Sequence, residues 1–256
     1  MLELSHIRKT FTAGVDSVRV FEDFSLSLDA GCFLSVVGSN GSGKTTMLNL
    51  ICGSVLPDAG RVFLDGRDVT ALPEYRRFAR VGRVYQDPSA GTVADMTVAE
   101  NLALAHNKGR RYGLTRALPP SALAAMREEV AGLGVGLEDR MQVPVGRLSG
   151  GQRQALALLM ATCTPIDLLV LDEHTAALDP KNAELLMKIT DRIVREKRLT
   201  AVMVTHNLRY AVEYGDRLLM LDRGGIVLDA RGEEKARLTT DDLLPLFGRI
   251  SIECGN

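Results

Sequence analysis

The run Gly38-Ser39-Asn40-Gly41-Ser42-Gly43-Lys44-Thr45-Thr46 has the residue types and spacing to cradle phosphate oxygens. Glycines let the backbone curl so that successive N–H groups face one anion, and a helix that follows adds its positive end. Lys44 then reaches the outer phosphates, and the Thr45 hydroxyl is placed to ligate magnesium. A second anion site is expected far downstream, at Leu148-Ser149-Gly150-Gly151-Gln152. Ser149, Gly150 and Gly151 open a helix that runs through Gln154 to about Ala161, before Pro165 stops it, so their N–H groups also converge on an anion.

Between and beyond these glycine motifs lie acids and a histidine. Leu168-Leu169-Val170-Leu171-Asp172-Glu173 is an aliphatic strand ending in two carboxylates, which suits a core strand only if the acids face a site. Asp172 can hold magnesium through water, and Glu173 can accept a proton from an attacking water. The following strand, Ala201 to Thr205, ends in His206, whose neutral imidazole can bond a terminal phosphate and orient that water. A lone histidine after a strand is usually a satisfied polar residue. Its place at the end of the strand after the acid-bearing one favours the catalytic reading.

Regular elements must bring these residues together. Cys32 to Val37 reads as an apolar strand and Thr45 to Cys52 as an amphipathic helix, the context a phosphate loop needs. The first sixty-odd residues alternate short strands and turns: Leu2 to Ser5, Val18 to Phe21, Phe24 to Leu28, and Arg61 to Leu64 before the turn Asp65-Gly66. From Asp87 to Arg147 the pattern turns helical, clearest at Val98 to Ala105 and Pro120 to Leu133. After it come strand Leu168 to Leu171, helix Lys181 to Glu196, strand Thr200 to Val204, helix Leu208 to Tyr214 and strand Arg217 to Leu221. Such alternation builds a parallel sheet, at whose carboxyl ends ligands collect.

Composition narrows the class. The 256 residues carry a net charge of −1, with no basic excess of the kind that nucleic acid selects. No apolar run reaches the ~18 to 20 residues of a spanning helix, and the acid-bearing start lacks an apolar signal core, so export is not expected. Cys32, Cys52, Cys163 and Cys254 lack metal-ligand spacing and read as small hydrophobes in a reducing compartment.

In order and over essentially its whole length, the chain resembles the ATP-binding subunits of ABC transporters. The phosphate loop at Gly38 to Thr46, Gln86 at the Q-loop, Leu148 to Gln152 at the signature, Leu168 to Glu173 at Walker B, Ala176-Ala177-Leu178-Asp179 at the D-loop and His206 at the H-loop carry the likeness. The resemblance implies an α/β fold: a P-loop NTPase parallel-sheet core with an antiparallel β subdomain (about 1–86 and 148–230), a helical subdomain inserted at about 87–147 and a short tail at 231–256. It implies that Phe11 stacks on adenine and that Thr45, Gln86 and Asp172 hold Mg2+. It further implies a head-to-tail dimer, each ATP sandwiched between the loop of one copy and Ser149, Gly150, Gly151, Gln152 and Asp179 of the other. In this scheme Lys44, Glu173, His206 and Gln86 carry catalysis.

The likeness also implies partners: a second copy, an integral-membrane permease and an extracytoplasmic solute-binding protein, with this chain peripheral on the cytoplasmic face of the membrane. The segments Asp172 to Pro180 and Gly151 to Leu156, with the tail Gly232-Glu233-Glu234-Lys235, resemble a bacterial subgroup associated with uptake of aromatic or related amino acids. A lipoprotein-release or efflux ATPase would share every ATP residue; its membrane partner would differ. Against a soluble non-transport ATPase stand a single cassette and no long coiled-coil insertion. Two departures stand out. Gln154 to Thr162 lacks the arginines common after the signature, and His174 stands where proline is common; one reading is drift within the subgroup, the other that His174, adjacent to Glu173, tunes that base or the dimer seam. The basic stretch Lys108 to Arg116 reads as a solvated loop or a contributor to docking on the permease or lipid headgroups. One helix near Asp241 to Phe247 is expected in the tail.

Overall fold

The computed structural model describes residues 1–14, 16–109 and 119–253. Two long strands, β1 (Leu2–Ala13) and β2 (Asp16–Leu28), precede β3 (Phe33–Gly38), α1 (Lys44–Cys52), β4 (Ala59–Leu64) and β5 (Arg67–Asp68). Next come α2 (Glu74–Arg77), β6 (Val81–Val84), α3 (Val98–His106), α4 (Pro120–Ala131) and α5 (Gly150–Thr162). The remainder alternates β7 (Leu168–Asp172), α6 (Pro180–Glu196), β8 (Thr200–Val204), α7 (Leu208–Glu213) and β9 (Arg217–Asp222), then closes with β10 (Gly225–Arg231), α8 (Gly232–Arg237) and α9 (Thr240–Glu253).

The strands form an antiparallel sheet, β2-β1-β4-β5, and a second sheet ordered β10-β9-β3-β8-β7-β6. In the second sheet β9, β3, β8, β7 and β6 run parallel, with β10 antiparallel at the edge. Every residue of β3 and β8 is buried, as a parallel sheet covered on both faces requires. On one face Leu34, Val36, Val170 and Val202 pack with Met47, Leu48 and Ile51 of α1 and with Leu4 and Phe21 of the antiparallel sheet. On the other, Leu169, Leu171, Ala201 and Met203 meet α5 and α6, and the same cluster continues into Leu102 of α3 and Val130 of α4.

The β1–β2 pair departs from the sequence reading, which ended the first strand at Ser5 and split the second at Phe21. Register shifts between Leu4 and Lys9, where His6 takes φ +51, move the inward face by one residue, so the apolar alternation breaks while the ladder continues. β6 was not anticipated, because Gly82 and Arg83 interrupt a four-residue run. Its pairing with β7, Val81 opposite Leu168 through Val84 opposite Leu171, makes it a strand. The C-terminal helix is longer than the expected Asp241 to Phe247. Arg110, Arg111 and Arg116 of the basic stretch lie outside the described residues, as does Cys254; Cys52 is buried, and Cys32 and Cys163 are half-buried.

The helix behind the phosphate loop is anchored at its far end by a buried arginine. Arg77, 2% exposed, donates to Leu50 O and Ile51 O at the end of α1 and to Thr70 O and Leu72 O in the neighbouring segment. A cation at a helix C-terminus meets the negative end of the dipole, and here it also satisfies carbonyls that would otherwise be orphaned. Arg77→Met should therefore lower unfolding free energy by about 3 kcal/mol, because several buried carbonyls lose their donor at once. Urea unfolding monitored by circular dichroism checks this: a midpoint within error of the parent would refute it.

Candidate functional site

The phosphate loop leaves β3 and enters α1 in a conformation that only glycine permits at two points. A Cβ at Gly38 would lie 2.3 Å from Leu221 O, and one at Gly43, where φ is +102, would lie 2.8 Å from the Phe21 ring. Gly224 N donates to Ser42 O at 3.1 Å, and Ser39 Oγ donates to Asp222 Oδ1 at 3.3 Å, so the β9–β10 corner braces the loop. Lys44, 5% exposed, donates through Nζ to Gly38 O and Ser39 O, each at 2.7 Å. Burial pushes its ammonium below the ordinary lysine range, while Glu173 and Asp172 act in the opposite sense. Ser42 Oγ is buried with no hydrogen-bond partner among the described residues, a polar atom already aimed into the loop. Asn40, Gly41 and Thr45 are exposed and Thr46 is half-buried.

Three neighbouring strands end beside this loop. Glu173 N donates to Val204 O at 3.0 Å, and Thr205 N donates to Val36 O at 3.1 Å, so β7, β8 and β3 are laced together beyond their last regular pairs. Glu173 takes φ +46, a left-handed conformation uncommon for a side chain of its size. Its Oε1 lies 2.7 Å from His206 Nε2. Asp172 lies one residue earlier at the end of β7, half-buried, with Oδ2 accepting from Arg83 at 3.0 Å. Gln86 is exposed just past β6. Phe11, 41% exposed in β1, carries the Lys9 ammonium 5.2 Å from its ring centre, a cation–π contact.

The downstream glycine motif forms a capped helix start. Ser149 Oγ accepts from Gln152 N and Gln152 Oε1 accepts from Ser149 N, both at 3.3 Å, a reciprocal box at the head of α5. That box serves the third helical N–H and leaves those of Gly150 and Gly151, in the first turn, free of intrahelical partners. Asp179 caps α6 with its side chain, accepting from Asn182 N and Asn182 Nδ2, and Asn182 packs on Gly151 so closely that a Cβ there would lie 3.2 Å from its amide carbon. Ser149, Gly151, Gln152 and Asn182 line one cavity; Glu173, Ala176, Leu178 and His206 line another. Among the described residues no hydrogen bond or ion pair joins Ser149 to Gln152 with the phosphate loop.

A family model described as ABC transporter matches residues 21–176. The chain belongs to the ABC transporter family. It is 44% identical to a tyrosine transport ATP-binding protein of Clostridioides difficile (strain R20291), over 96% of this chain and 98% of that one. It is 30% identical to a methionine import ATP-binding protein of Bacillus thuringiensis subsp. konkukian over 90% of its own length, spanning 66% of that longer relative. Among solved structures, a dimeric ATP-binding cassette in a post-hydrolysis state with ADP and Pi superposes with a TM-score of 0.78 at 27% identity, over 90% of this chain and 98% of that one. Another cassette of an ABC transporter, in its ADP conformation, gives 0.79 at 25% identity over 100% and 99%. The fold is that of an ABC ATPase, and the chain is an ATP-binding, ATP-hydrolysing cassette.

Hard oxygen donors are what the cassette offers a metal. Among the described residues no group of three or more His, Cys, Asp or Glu is arranged to hold an ion by itself. The Thr45 hydroxyl and the Asp172 carboxylate suit Mg2+, which keeps several waters and takes the rest of its shell from phosphate oxygens. The donor set therefore suits a hard divalent cation such as Mg2+.

His174 is turned away from Glu173. It is 2% exposed, and its Nε2 lies 3.1 Å from Thr190 Oγ1 on α6. Thr190 spends its own proton on Leu186 O, so the imidazole is the donor, with its proton on Nε2. Burial pushes His174 down to about 4. Sequence reading missed Arg83, whose signal was a charge inside a short apolar strand. It also missed the role of Gln154, 1% exposed, which donates to Tyr85 O at 2.8 Å and so ties α5 to the residue before Gln86.

Because the folded pKa of His174 lies below its ordinary 6.5, the unfolded chain takes up a proton that the fold refuses. Stability should fall as pH drops from 6.5 towards 4, by roughly 2 kcal/mol at pH 5 from this group. In urea titrations at pH 7 and pH 5, His174→Met should show a drop smaller by about that amount. An equal drop would refute the assignment. The pH profile of ATPase activity should keep its shape in the variant.

Proposed function

We propose that this cassette powers uptake of an amino acid through a separate membrane permease, hydrolysing ATP between two copies arranged head to tail. The observation that carries the reading is the pairing of Glu173 with His206 at 2.7 Å on the ends of adjacent strands, beside the phosphate loop that Lys44 closes. In this reading the loop from Gly38 to Thr46 binds the phosphates, with Lys44 exchanging its two loop carbonyls for the outer phosphate oxygens. Glu173 takes the proton of the attacking water as its oxygen bonds the terminal phosphorus and the bond to ADP breaks. His206 holds that water and the phosphate in line, Gln86 helps align the water, and positioning with charge neutralisation supplies most of the acceleration. Mg2+ would be held by Thr45, Gln86 and Asp172 and, when bound, neutralises phosphate charge. Phe11, which is exposed, would stack on adenine.

Ser149, Gly151 and Gln152 line a cavity apart from the one that Glu173 and His206 line, which supports completion of the site by a second copy that would bring Ser149, Gly150, Gly151, Gln152 and Asp179 to the phosphate from the far side. The dimeric cassette among the solved relatives is in keeping with this. The names of the relatives, one for tyrosine transport and another for methionine import, support an amino acid as cargo and uptake as the direction. No helix among the described residues is long and apolar enough to cross a membrane. In this reading solute passes through separate permease subunits, with this chain peripheral on their cytoplasmic side. An extracytoplasmic binding protein would supply the solute. We further propose the division into a core of about 1–86 and 148–230, an inserted helical lobe of about 87–147 and a tail at 231–256.

Glu173→Gln should keep ATP binding yet reduce turnover at least about 100-fold, the share of a positioned base, and should accumulate as an ATP-bound dimer in size-exclusion chromatography. Turnover at the parent rate would remove Glu173 from the role. Lys44→Ala should lower affinity in a direct titration with a fluorescent ATP analogue; normal affinity would count against the loop assignment.

A further inference from the structure

Arg83 is a largely buried charged side chain beside the site to which the ATPase scheme above gives no task. It lies in β6 opposite Val170 of β7, and Asp172 is two residues further along β7, so the pleat puts all three on one face of the sheet. That face is the one covered by α1, since Leu168 and Val170 pack with Leu48 and Ile51. The side chain of Arg83 is 8% exposed and that of Asp172 is 15% exposed, and the single bond between them, guanidinium to Oδ2, measures 3.0 Å. The guanidinium carbon also lies 4.7 Å from the centre of the Tyr85 ring, so the aromatic side chain next to Gln86 backs it. Arg83 Nε is buried with no hydrogen-bond partner among the described residues. A desolvated cation that makes so few bonds to its surroundings contributes little to stability, because charge taken out of water is repaid only when its donors are satisfied.

We infer that Arg83 is a positioning residue for Asp172: it grips one carboxylate oxygen from behind, so that the carboxylate is already oriented when Mg2+ and ATP arrive. A carboxylate at a strand end with no such brace swings about its side-chain torsions, and ordering it is charged against metal affinity. Partners that orient metal-ligating groups typically contribute 10- to 100-fold in affinity when removed. The guanidinium is suited to the task because it is planar, always charged and presents several donors from a fixed fork. Tyr85 restrains that fork from the other side. The inference rests on the proposed role of Asp172 at the metal.

The test separates the two. Binding of a fluorescent ATP analogue is titrated in EDTA and again across a range of Mg2+ concentrations, for the parent, Arg83→Met and Asp172→Asn, with thermal unfolding run alongside. The expected result for Arg83→Met is unchanged analogue affinity in EDTA and an Mg2+ midpoint raised about 10-fold. Arg83→Lys, which keeps the charge and loses the fork, should fall between it and the parent. A midpoint equal to the parent's in folded Arg83→Met overturns the inference, as does an equal loss of affinity with and without Mg2+, which would mark a general disturbance of the nucleotide site. If Arg83→Met does not fold, Arg83→Lys decides alone: a raised midpoint supports positioning and an unshifted one overturns it. A parent and an Asp172→Asn variant with the same Mg2+ response would overturn the role of Asp172, and with it this inference.

Discussion

A loop that binds phosphate through its backbone cannot shape itself with side chains, so its geometry has to be imposed by what surrounds it. Here the imposition is steric and comes from two directions. Leu221 O of β9 fills the space behind Gly38, and the Phe21 ring of β2 fills the space behind Gly43. The first belongs to the parallel sheet and the second to the antiparallel one, so the loop sits where the two sheets meet. Gly224 and Asp222 brace its outer side, and Arg77 ties down the far end of the helix it starts. Pre-formed N–H groups then meet the anion without first having to be ordered.

The acid–histidine pair depends on the same sheet. Lacing of Glu173 N to Val204 O and of Thr205 N to Val36 O carries β7, β8 and β3 one step past their regular ends. Side chains that would fan apart at the frayed end of a sheet are thereby held at fixed separations. The left-handed backbone of Glu173 is a consequence: the chain turns sharply to place the carboxylate by His206 while keeping its N–H in the ladder. Its neighbour His174 turns the other way, into the core against α6. Past the last residue of β7 the backbone bends at Glu173, and a half-buried carboxylate and a buried imidazole stand side by side as a result.

A third set of contacts joins the end of β6 to α5 and β7. Gln154 reaches from the helix headed by Ser149 to the carbonyl of Tyr85, and Arg83, two residues before Tyr85, holds Asp172. Gln86 thus follows a residue fixed on one side to α5 and on the other, through Arg83, to β7. Asp179 and Asn182 hold the start of α6 against the first turn of α5.

What the sequence determined by itself is the chemistry that resides in short stretches of chain. The phosphate loop, the Ser149–Gln152 cap and the aliphatic strand ending in Asp172 and Glu173 are local patterns, since turns, caps and strand ends are made by residues a few positions apart. The parallel alternation after Leu168 was legible for the same reason. What only the tertiary structure decided depends on residues far apart in the chain. The continuity of β1 and β2 through a bulge, and the existence of β6, come from partner strands and not from local alternation. That His206 reaches Glu173, that His174 does not face the site, and that a lone arginine in a strand grips Asp172 all follow from the register of β6, β7 and β8. Register is set by packing on both faces of the sheet, and no spacing along the sequence encodes it.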